Sequence, residues 1–292
     1  MSTSLLRSFL KLRKKRNLRL RELYSYLIGV ISQVSQEAKA EAKWIIEEVF
    51  ENKFDFLILE NPEVSKELSR IHTIVERRVK DRIPLQYIFK KAFFFGFELY
   101  VDERVLIPRY DTEVVVEYVL NTFNGKVVRW LDLGTGSGAI ALVLGKHLNG
   151  FGVASDLSMD ALRVARRNLT KYGVKVPLLR ADVLSAFKDS CFDLIVANPP
   201  YISYKERSNL SPEVLSEPPS ALFGGEFGHE LSERILSESL RVLVPGGSII
   251  IETSPMCFEA LQRSEKWNFF ILTKEIYDLS GELRGIHLVR KS

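Results

Sequence analysis

The residues best suited to chemistry lie in the stretch "VANPPYI" at positions 196–202, where an apolar run ends in asparagine, two prolines and tyrosine. Proline fixes φ and has no N–H, so Pro199 and Pro200 cannot extend a central β-ladder. A following proline also favours extended geometry at Asn198. The stretch is therefore either an ordinary turn at a strand end or a rigid mount for Asn198 and Tyr201.

As a mount, this corner offers two hydrogen-bond acceptors, the side-chain carbonyl of Asn198 and the backbone carbonyl of Pro199. Together they would accept both N–H groups of a planar amine or amide, with Pro200 adding stiffness and Tyr201 packing against the flat face. The lone pair of such a nitrogen is delocalised, so orientation and close approach, worth up to about 7–11 kcal/mol in favourable cases, would supply the catalysis. We therefore predict Asn198, Pro199 and Tyr201 as catalytic and residues 198–201 as substrate-binding. The four histidines are scattered without metal-ligand spacing, so no metal is predicted.

A second candidate site is "LDLGTGSGAIA" at 131–141, which places three glycines between an apolar run and an amphipathic stretch. Glycines there permit a tight turn and let a ligand approach the backbone closely. Gly134, Gly136 and Ala139 also satisfy the dinucleotide pattern G-x-G-x-x-G/A, so a nicotinamide enzyme stays open as an interpretation.

Three aspartates accompany this turn at the carboxyl edge of the expected sheet. Asp132 precedes the first glycine by two residues, Asp156 stands where an acid would accept two ribose hydroxyls, and Asp182 or the Val183 backbone would meet an adenine. Several acids suit a cationic cofactor better than a pyrophosphate, which favours S-adenosylmethionine, with its sulfonium, over NAD. The predicted cofactor-binding residues are Asp132, Gly134, Thr135, Gly136, Ser137, Gly138, Asp156, Asp182, Val183 and Asn198.

Two kinds of patterning indicate the elements that must position these residues. From about residue 127, short apolar strands alternate with amphipathic helices, which predicts an α/β fold with a doubly wound, mostly parallel sheet. Residues 18–83 space their apolar residues by three and four, as in a small helical bundle. Residues 85–107 are rich in aromatic and β-branched residues and predict a connecting hairpin, and a helix follows with Asp111 or Thr112 as its N-cap. The predicted domains are 1–84, a hairpin linker 85–107, and 108–292.

Composition limits the class of protein and the compartment that the sequence allows. With 46% hydrophobic and 27% charged residues, the 292-residue chain is typical of a globular protein. No apolar run approaches the roughly 18–20 residues that cross a bilayer, so no membrane partner is predicted. The two cysteines fit a reducing compartment, and we predict a cytoplasmic location.

The N-terminus is strongly basic, because eight basic residues precede the first acid. They are Arg7, Lys11, Arg13, Lys14, Lys15, Arg16, Arg19 and Arg21. This pattern fits the solvated face of a first helix, a patch that contacts RNA, or a targeting segment in residues 1–17 that would direct the chain to an organellar matrix.

Taken in order, "LDLGTGSGAIA", "ASDLSMDAL" and "FDLIVANPPYI" resemble the motifs of class I S-adenosylmethionine-dependent methyltransferases that methylate nitrogen. The further set "PLQYI", "VLIPRYDTE", "EPPSALFGG", "LVPGG" and "DLSGELRG" resembles the HemK/PrmC family, the release factor glutamine methyltransferases. The resemblance extends over about residues 18–290.

This resemblance implies a Rossmann-like methyltransferase domain, joined by a β-hairpin to an all-helical N-terminal domain that docks the substrate protein. It implies methylation of the glutamine side-chain amide in the Gly-Gly-Gln motif of class I peptide chain release factors, with S-adenosylhomocysteine as the second product and no required nucleic acid. The glycine turn from Gly134 to Gly138, Asp156 and the 182–183 region would hold the cofactor, and residues 198–201 would hold the glutamine.

Some positions depart from the family pattern. The usual "RPETE" reads "RYDTE" at 109–113, Pro219 stands where an arginine is usual, and "YILG" reads "YIFK" at 87–90. These changes leave the cofactor and glutamine motifs intact, but they weaken any role assigned to residues 87–113.

Three other interpretations remain open on the residues alone. An adenine-N6 methyltransferase acting on DNA or RNA would flip its target base out and stack it on Tyr201. A nicotinamide-dependent oxidoreductase would explain the glycine turn and Asp156, but it leaves "NPPY" unused. A basic RNA- or ribosome-binding module without enzymatic activity would use mainly the N-terminus.

Overall fold

The computed structural model describes residues 17–292, and these divide into two compact units, one ending at Lys90 and the other running Lys91–Ser292. The predictions for the basic segment before residue 17 lie outside the described residues. The division into 1–84, 85–107 and 108–292 stays a prediction.

The first unit is helical, as the apolar spacing of three and four predicts. Its helices are α1 (Leu20–Ile31), α2 (Ala38–Phe50), α3 (Phe54–Glu60), α4 (Leu68–Val75) and α5 (Leu85–Phe89), with one π-helical turn at Glu76–Lys80. Leu23, Leu27, Ile45 and Ile71 are fully buried in the core of this unit. Within α1, Gly29 has no heavy atom within 4 Å of where a Cβ would stand.

The second unit is built on a seven-stranded sheet with the order β10-β11-β9-β6-β3-β4-β5. The strands of the unit are β1 (Ala92–Phe94), β2 (Phe97–Leu99), β3 (Val127–Leu133), β4 (Asn149–Asp156), β5 (Leu178–Arg180), β6 (Phe192–Ala197), β7 (Ile202–Ser203), β8 (Phe223–Gly225), β9 (Leu243–Glu252), β10 (Phe270–Tyr277) and β11 (Leu283–Arg290). The pairs within β9-β6-β3-β4-β5 are parallel, and β11 is antiparallel to both of its neighbours. The predicted α/β class with a mostly parallel sheet is confirmed.

Helices cover both faces of this sheet. They are α6 (Tyr110–Phe123), α7 (Ala139–His147), α8 (Met159–Lys171), α9 (Pro212–Leu215), α10 (Pro219–Leu222), α11 (Glu230–Val242) and α12 (Pro255–Arg263), with 3-10 turns at Tyr204–Asn209 and Glu265–Phe269. Successive side chains of β6 alternate between two cores: Leu194 and Val196 pack with α6 and α7, whereas Ile195 packs with α11. Burial on both faces explains why residues 194–197 of this strand form a continuous apolar run.

The register brings the ends of neighbouring strands to one edge. Ala197 of β6 pairs with Leu133 of β3 on one side and with Ile251 of β9 on the other. Residues that follow these positions, such as Asn198 and Glu252, therefore emerge next to each other at the carboxyl edge.

Two local predictions are wrong. Helix α6 begins at Tyr110 with the extended Arg109 as its N-cap residue (φ −102°, ψ 146°), so Thr112 lies in the first turn and does not cap the helix. Residues 85–89 form helix α5 directly after Pro84, whose fixed φ ends the preceding segment, so they are not part of the hairpin. The hairpin itself is β1–β2, turned at Phe95 and Gly96, both at positive φ.

No helix in the described part of the chain has both the length and the apolar character to cross a membrane.

Candidate active site

A cleft of about 260 Å³ opens at the carboxyl edge of the sheet and lies entirely within the second unit. Its walls come from the glycine turn after β3, the end of β4, the segment after β5, and the corner after β6. Most of the segment 104–109 and parts of α10 and α11 also line the cleft.

The glycine turn has a backbone that side chains disfavour. Gly134, Gly136 and Gly138 have φ values of 75°, 53° and 81°, all in the left-handed region. A Cβ on Gly134 would meet no protein atom within 4 Å, so it would enter the cleft. A Cβ on Gly138 would stand 3.0 Å from the Cα of Ala165. The first glycine thus leaves room for a ligand, and the third lets α7 approach α8.

Asp132 supports this turn from behind. It is completely buried, and its Oδ2 accepts hydrogen bonds from the Thr135 hydroxyl at 2.5 Å and from the Ala141 N–H at 2.9 Å. Burial raises its pKa to about 7, and Oδ1 has no hydrogen-bond partner among the described residues. Thr135 and Ser137 line the cleft, whereas Asp132 does not belong to its described lining. Direct cofactor contact by Asp132 stays a prediction.

Asp156 ends β4 and lines the cleft, where sequence reasoning expects it. Its Oδ2 accepts the Gly136 N–H at 2.9 Å and its Oδ1 accepts the Ser158 N–H at 2.8 Å. Burial raises the pKa of this carboxyl above its ordinary value. Each oxygen keeps a second lone pair, so the carboxylate can still accept two hydroxyl hydrogen bonds.

Asp182 and Val183 form the wall after β5. The Asp182 carboxylate is held by both Nη atoms of Arg234 at 2.9 Å, and this hydrogen bonding lowers its pKa. Val183 has a φ of 49°, a region that β-branched residues seldom adopt, and its side chain is buried. Such strain costs on the order of 1–3 kcal/mol and is typical of functional sites. It shapes the cleft wall at the position predicted to meet an adenine.

Asn198, Pro199 and Pro200 line the same cleft immediately after β6. The Asn198 Nδ2 donates a hydrogen bond to the Thr112 Oγ1 at 3.0 Å, which leaves Oδ1 as the acceptor of this amide. The corner is packed closely from behind, because a Cβ on Gly224 would stand 2.4 Å from the Pro200 carbonyl oxygen. This close packing restricts the backbone of residues 198–200 to one conformation.

Tyr201 lies in a neighbouring cleft of about 630 Å³ with Glu252 and Arg284, and not in the lining of the first cleft. Burial, followed by the nearby charges of Glu252 and Asp111, raises the pKa of its phenol to about 12. Tyr201 is therefore neutral at physiological pH, which excludes it as a strong base there.

Sequence reasoning misses three buried polar residues that support the site. Thr112 contacts Asn198, and Glu252 ends β9 beside it. Glu217 is 3% exposed, accepts the Ile107 N–H at 3.0 Å and pairs with Arg109. It thereby holds the 104–109 wall of the cleft. The sequence does indicate a site residue at Glu252, because "IIIE" is an apolar strand that ends in an acid at the edge of the sheet where ligands bind.

Solved structures show the fold, and a family model matches part of the second unit. The structure is similar to a methyltransferase from Pyrococcus furiosus (TM-score 0.53, 22% identity, 74% of this chain and 99% of that chain). It is also similar to the ribosomal protein L11 methylase from Lactobacillus delbrueckii (TM-score 0.50, 19% identity, 66% of this chain and 84% of that chain). The family model "Methyltransferase small domain" matches residues 110–225. The structure therefore has the fold of these methyltransferases.

Curated relatives of similar sequence identify the family within the methyltransferases. The chain is 36% identical to the release factor glutamine methyltransferase of Thermodesulfovibrio yellowstonii over 247 residues, 81% of this chain and 86% of the relative. It is 40% identical to that of Chlorobaculum tepidum over 210 residues, 68% of this chain and 71% of the relative. The chain belongs to the release factor glutamine methyltransferase family, as its motifs predict.

Proposed function

We propose that this protein transfers the methyl group of S-adenosylmethionine to the side-chain amide nitrogen of the glutamine in the Gly-Gly-Gln motif of class I peptide chain release factors. The observation that carries the proposal is the orientation of Asn198, whose Nδ2 is engaged by Thr112 while Oδ1 remains as an acceptor at the cleft. With the Pro199 carbonyl, this makes two acceptors, which match the two N–H groups of a primary amide.

The residues present fit the cofactor. The glycine turn leaves open space at Gly134, and the Asp156 carboxylate has lone pairs for two ribose hydroxyls. The cofactor would be held by the turn from Gly134 to Gly138, by Asp156 and by Val183. When bound, S-adenosylmethionine supplies an electrophilic methyl group on a cationic sulfur.

The protein's own part in the transfer is to hold the nitrogen and to accept its N–H hydrogen bonds. Methyl transfer leaves the amide nitrogen positively charged with both of its original protons, and this cation is strongly acidic, so one proton can leave to water without a strong base. Tyr201, with a pKa of about 12, fits a packing role beside the corner better than a role as base. The scheme uses no metal ion and no nucleic acid.

The same proposal assigns docking of the release factor to the helical first unit, and it places the reaction in the cytoplasm. The free Cys191 and Cys257 fit a reducing compartment.

Methyl transfer from labelled S-adenosylmethionine to a purified class I release factor tests the proposal, with mass spectrometry to locate the label. We expect one methyl group on the Gly-Gly-Gln glutamine and none on a control factor in which alanine replaces that glutamine. Label on adenine in DNA or RNA, with none on the release factor, would support the nucleic-acid alternative and overturn the protein substrate.

A further inference from the structure

We infer that Thr112 and Glu252 are positioning residues that decide which side of the Asn198 amide faces the substrate. This inference rests on the proposed function, because it concerns the residue proposed to clamp the glutamine. It assigns a role in substrate binding to two residues that lie outside the segment 198–201.

The three side chains come from three elements and meet at the carboxyl edge. Asn198 follows β6, Thr112 lies in the first turn of α6, and Glu252 ends β9. Thr112 and Glu252 are only 4% and 2% exposed, so their hydrogen bonds have little competition from water. The Asn198 Nδ2 donates to the Thr112 Oγ1 at 3.0 Å, and hydrogen bonding by the same Thr112 hydroxyl lowers the pKa of the Glu252 carboxyl.

A hydroxyl has a single proton, and this fixes the direction of the chain of hydrogen bonds. An ionised carboxylate only accepts, so Thr112 must donate its proton to Glu252. Its oxygen can then only accept from Asn198, and the donor end of that amide, Nδ2, must face Thr112. The acceptor end, Oδ1, consequently faces the cleft, as a substrate amide requires.

The Asn198 amide can adopt the opposite orientation when Glu252 no longer accepts a hydrogen bond from Thr112. A protonated Glu252 can donate to the Thr112 oxygen, and the hydroxyl proton is then available for the Oδ1 of Asn198. The amide would turn over and present its NH2 to the N–H groups of the substrate. Two hydrogen-bond donors that face each other repel, so in this state Asn198 cannot hold the glutamine nitrogen by its N–H groups.

Glu252 titrates near neutrality because several groups oppose each other around it. Burial raises its pKa to about 7, the Thr112 hydrogen bond lowers it, and the charge of Asp111 raises it further. Arg284 and Arg109 lower the pKa, while the Tyr201 phenol that faces the same carboxylate is neutral. Its Oε2 has no hydrogen-bond partner among the described residues.

The test compares kcat for methylation of the release factor from pH 6 to pH 9 in wild type, Thr112→Val, Thr112→Ser and Glu252→Met. We expect the wild-type kcat to rise with pH through about 7, as Glu252 ionises. Thr112→Val and Glu252→Met should lower kcat at pH 8 by roughly 10- to 100-fold and abolish this rise, because each breaks the directed hydrogen bonds. Thr112→Ser retains the hydroxyl and should restore both the rate and the pH dependence. Thr170→Val, at an exposed threonine of α8, is the matched control.

Calorimetry with S-adenosylmethionine shows whether each variant is folded, and its Kd should stay within about threefold of wild type, since only the substrate clamp is altered. If Thr112→Val is unfolded, Glu252→Met and Thr112→Ser still decide the question. A folded Thr112→Val or Glu252→Met with the wild-type rate, or with the wild-type rise near pH 7, would overturn the inference. A wild-type enzyme that methylates no release factor would instead overturn the proposed function.

Discussion

At the scale of single residues, the site depends on polar groups whose partners are fixed by the backbone. Both oxygens of Asp156 are held by N–H groups of the two loops that flank the cleft, Gly136 on one side and Ser158 on the other. The carboxylate therefore has one orientation before any ligand arrives. Such preorganisation lowers the entropy lost on binding.

Asp156→Asn tests the ribose assignment. We expect the Kd for S-adenosylmethionine to rise about 10- to 100-fold, because hydrogen bonds to a charged acceptor are worth about 1.5–3 kcal/mol. Isothermal titration calorimetry measures this. Asp160→Asn is the matched control, since Asp160 is exposed at the start of α8 and pairs with Arg163. Equal affinities of Asp156→Asn and wild type would show that Asp156 does not bind the ribose.

Residue types and order predict some of these positions and not others. Asp156 and Asn198 follow apolar strands, and the carboxyl-edge rule places them in one cleft. The contact of Thr112 with Asn198 escapes prediction because the sequence pattern places the start of α6 two or three residues too late, with Asp111 or Thr112 as the helix cap. Tyr201 and Asn198 line different clefts because their side chains point in different directions from residues 198–201. Side-chain direction in such a turn cannot be predicted from the sequence alone.

At the scale of elements, periodicity predicts the central parallel strands and the helices between them. It does not provide the strand order, because strand order depends on contacts between distant segments. The antiparallel pair β10–β11 is missed. Ile271 in β10 is 54% exposed, so this strand lacks the continuous apolar run of the buried strands.

The pairing of β3 with β4 depends on one glycine. Gly152 lies opposite Trp130, and a Cβ at Gly152 would stand 2.0 Å from the indole ring. Trp130 is 2% exposed and packed on all sides, so it has little room to move. A side chain at position 152 must therefore displace the indole or separate the two strands.

We expect Gly152→Ala to lower the free energy of unfolding by about 1–3 kcal/mol through overpacking. Urea unfolding followed by tryptophan fluorescence and circular dichroism measures this. Gly29→Ala is the control, since Gly29 lies inside α1 with open space around it, and alanine there should stabilise by about 0.5–1 kcal/mol. Unchanged stability of Gly152→Ala would mean that the strands adjust freely.

At the scale of the whole molecule, buried titratable groups make stability depend on pH. His287 is 4% exposed, and its ring nitrogens contact the Tyr118 hydroxyl and the Ser248 hydroxyl, both at 2.9 Å. Burial, with a smaller contribution from Lys126, lowers its pKa from 6.5 to about 4. Between these values the unfolded chain binds a proton that the folded chain does not, so stability falls as the pH drops from 6.5 towards 4.

His287→Gln should remove this contribution. We expect wild type to lose about 2 kcal/mol more than the variant between pH 7 and pH 5, from the proton linkage of one group. Urea unfolding of both proteins at both pH values gives the difference. Asp132 and Glu252, whose pKa values are raised, act in the opposite direction but are present in both proteins and cancel. The same pH dependence in both proteins would assign the effect to other groups.

The division into two units separates the chemistry from the proposed docking. The described cleft lining runs from Phe94 to Ile235, and the second unit has its own two cores on the faces of the sheet. The helical unit has a core of its own. A fragment beginning at Lys91 should therefore fold, and it should bind S-adenosylmethionine with a Kd within about threefold of the full chain, because all cleft residues are retained.

The same fragment tests whether the helical unit docks the release factor. We expect its KM for an intact release factor to rise at least about tenfold, as expected when a remote binding surface is removed. A short peptide containing Gly-Gly-Gln is the control, because it needs only the cleft, and the fragment and the full chain should methylate it at equal rates. Steady-state kinetics with both substrates gives the comparison. An unchanged KM for the release factor would remove the docking role from the helical unit, whereas loss of peptide methylation would mean that the second unit needs the first for its chemistry.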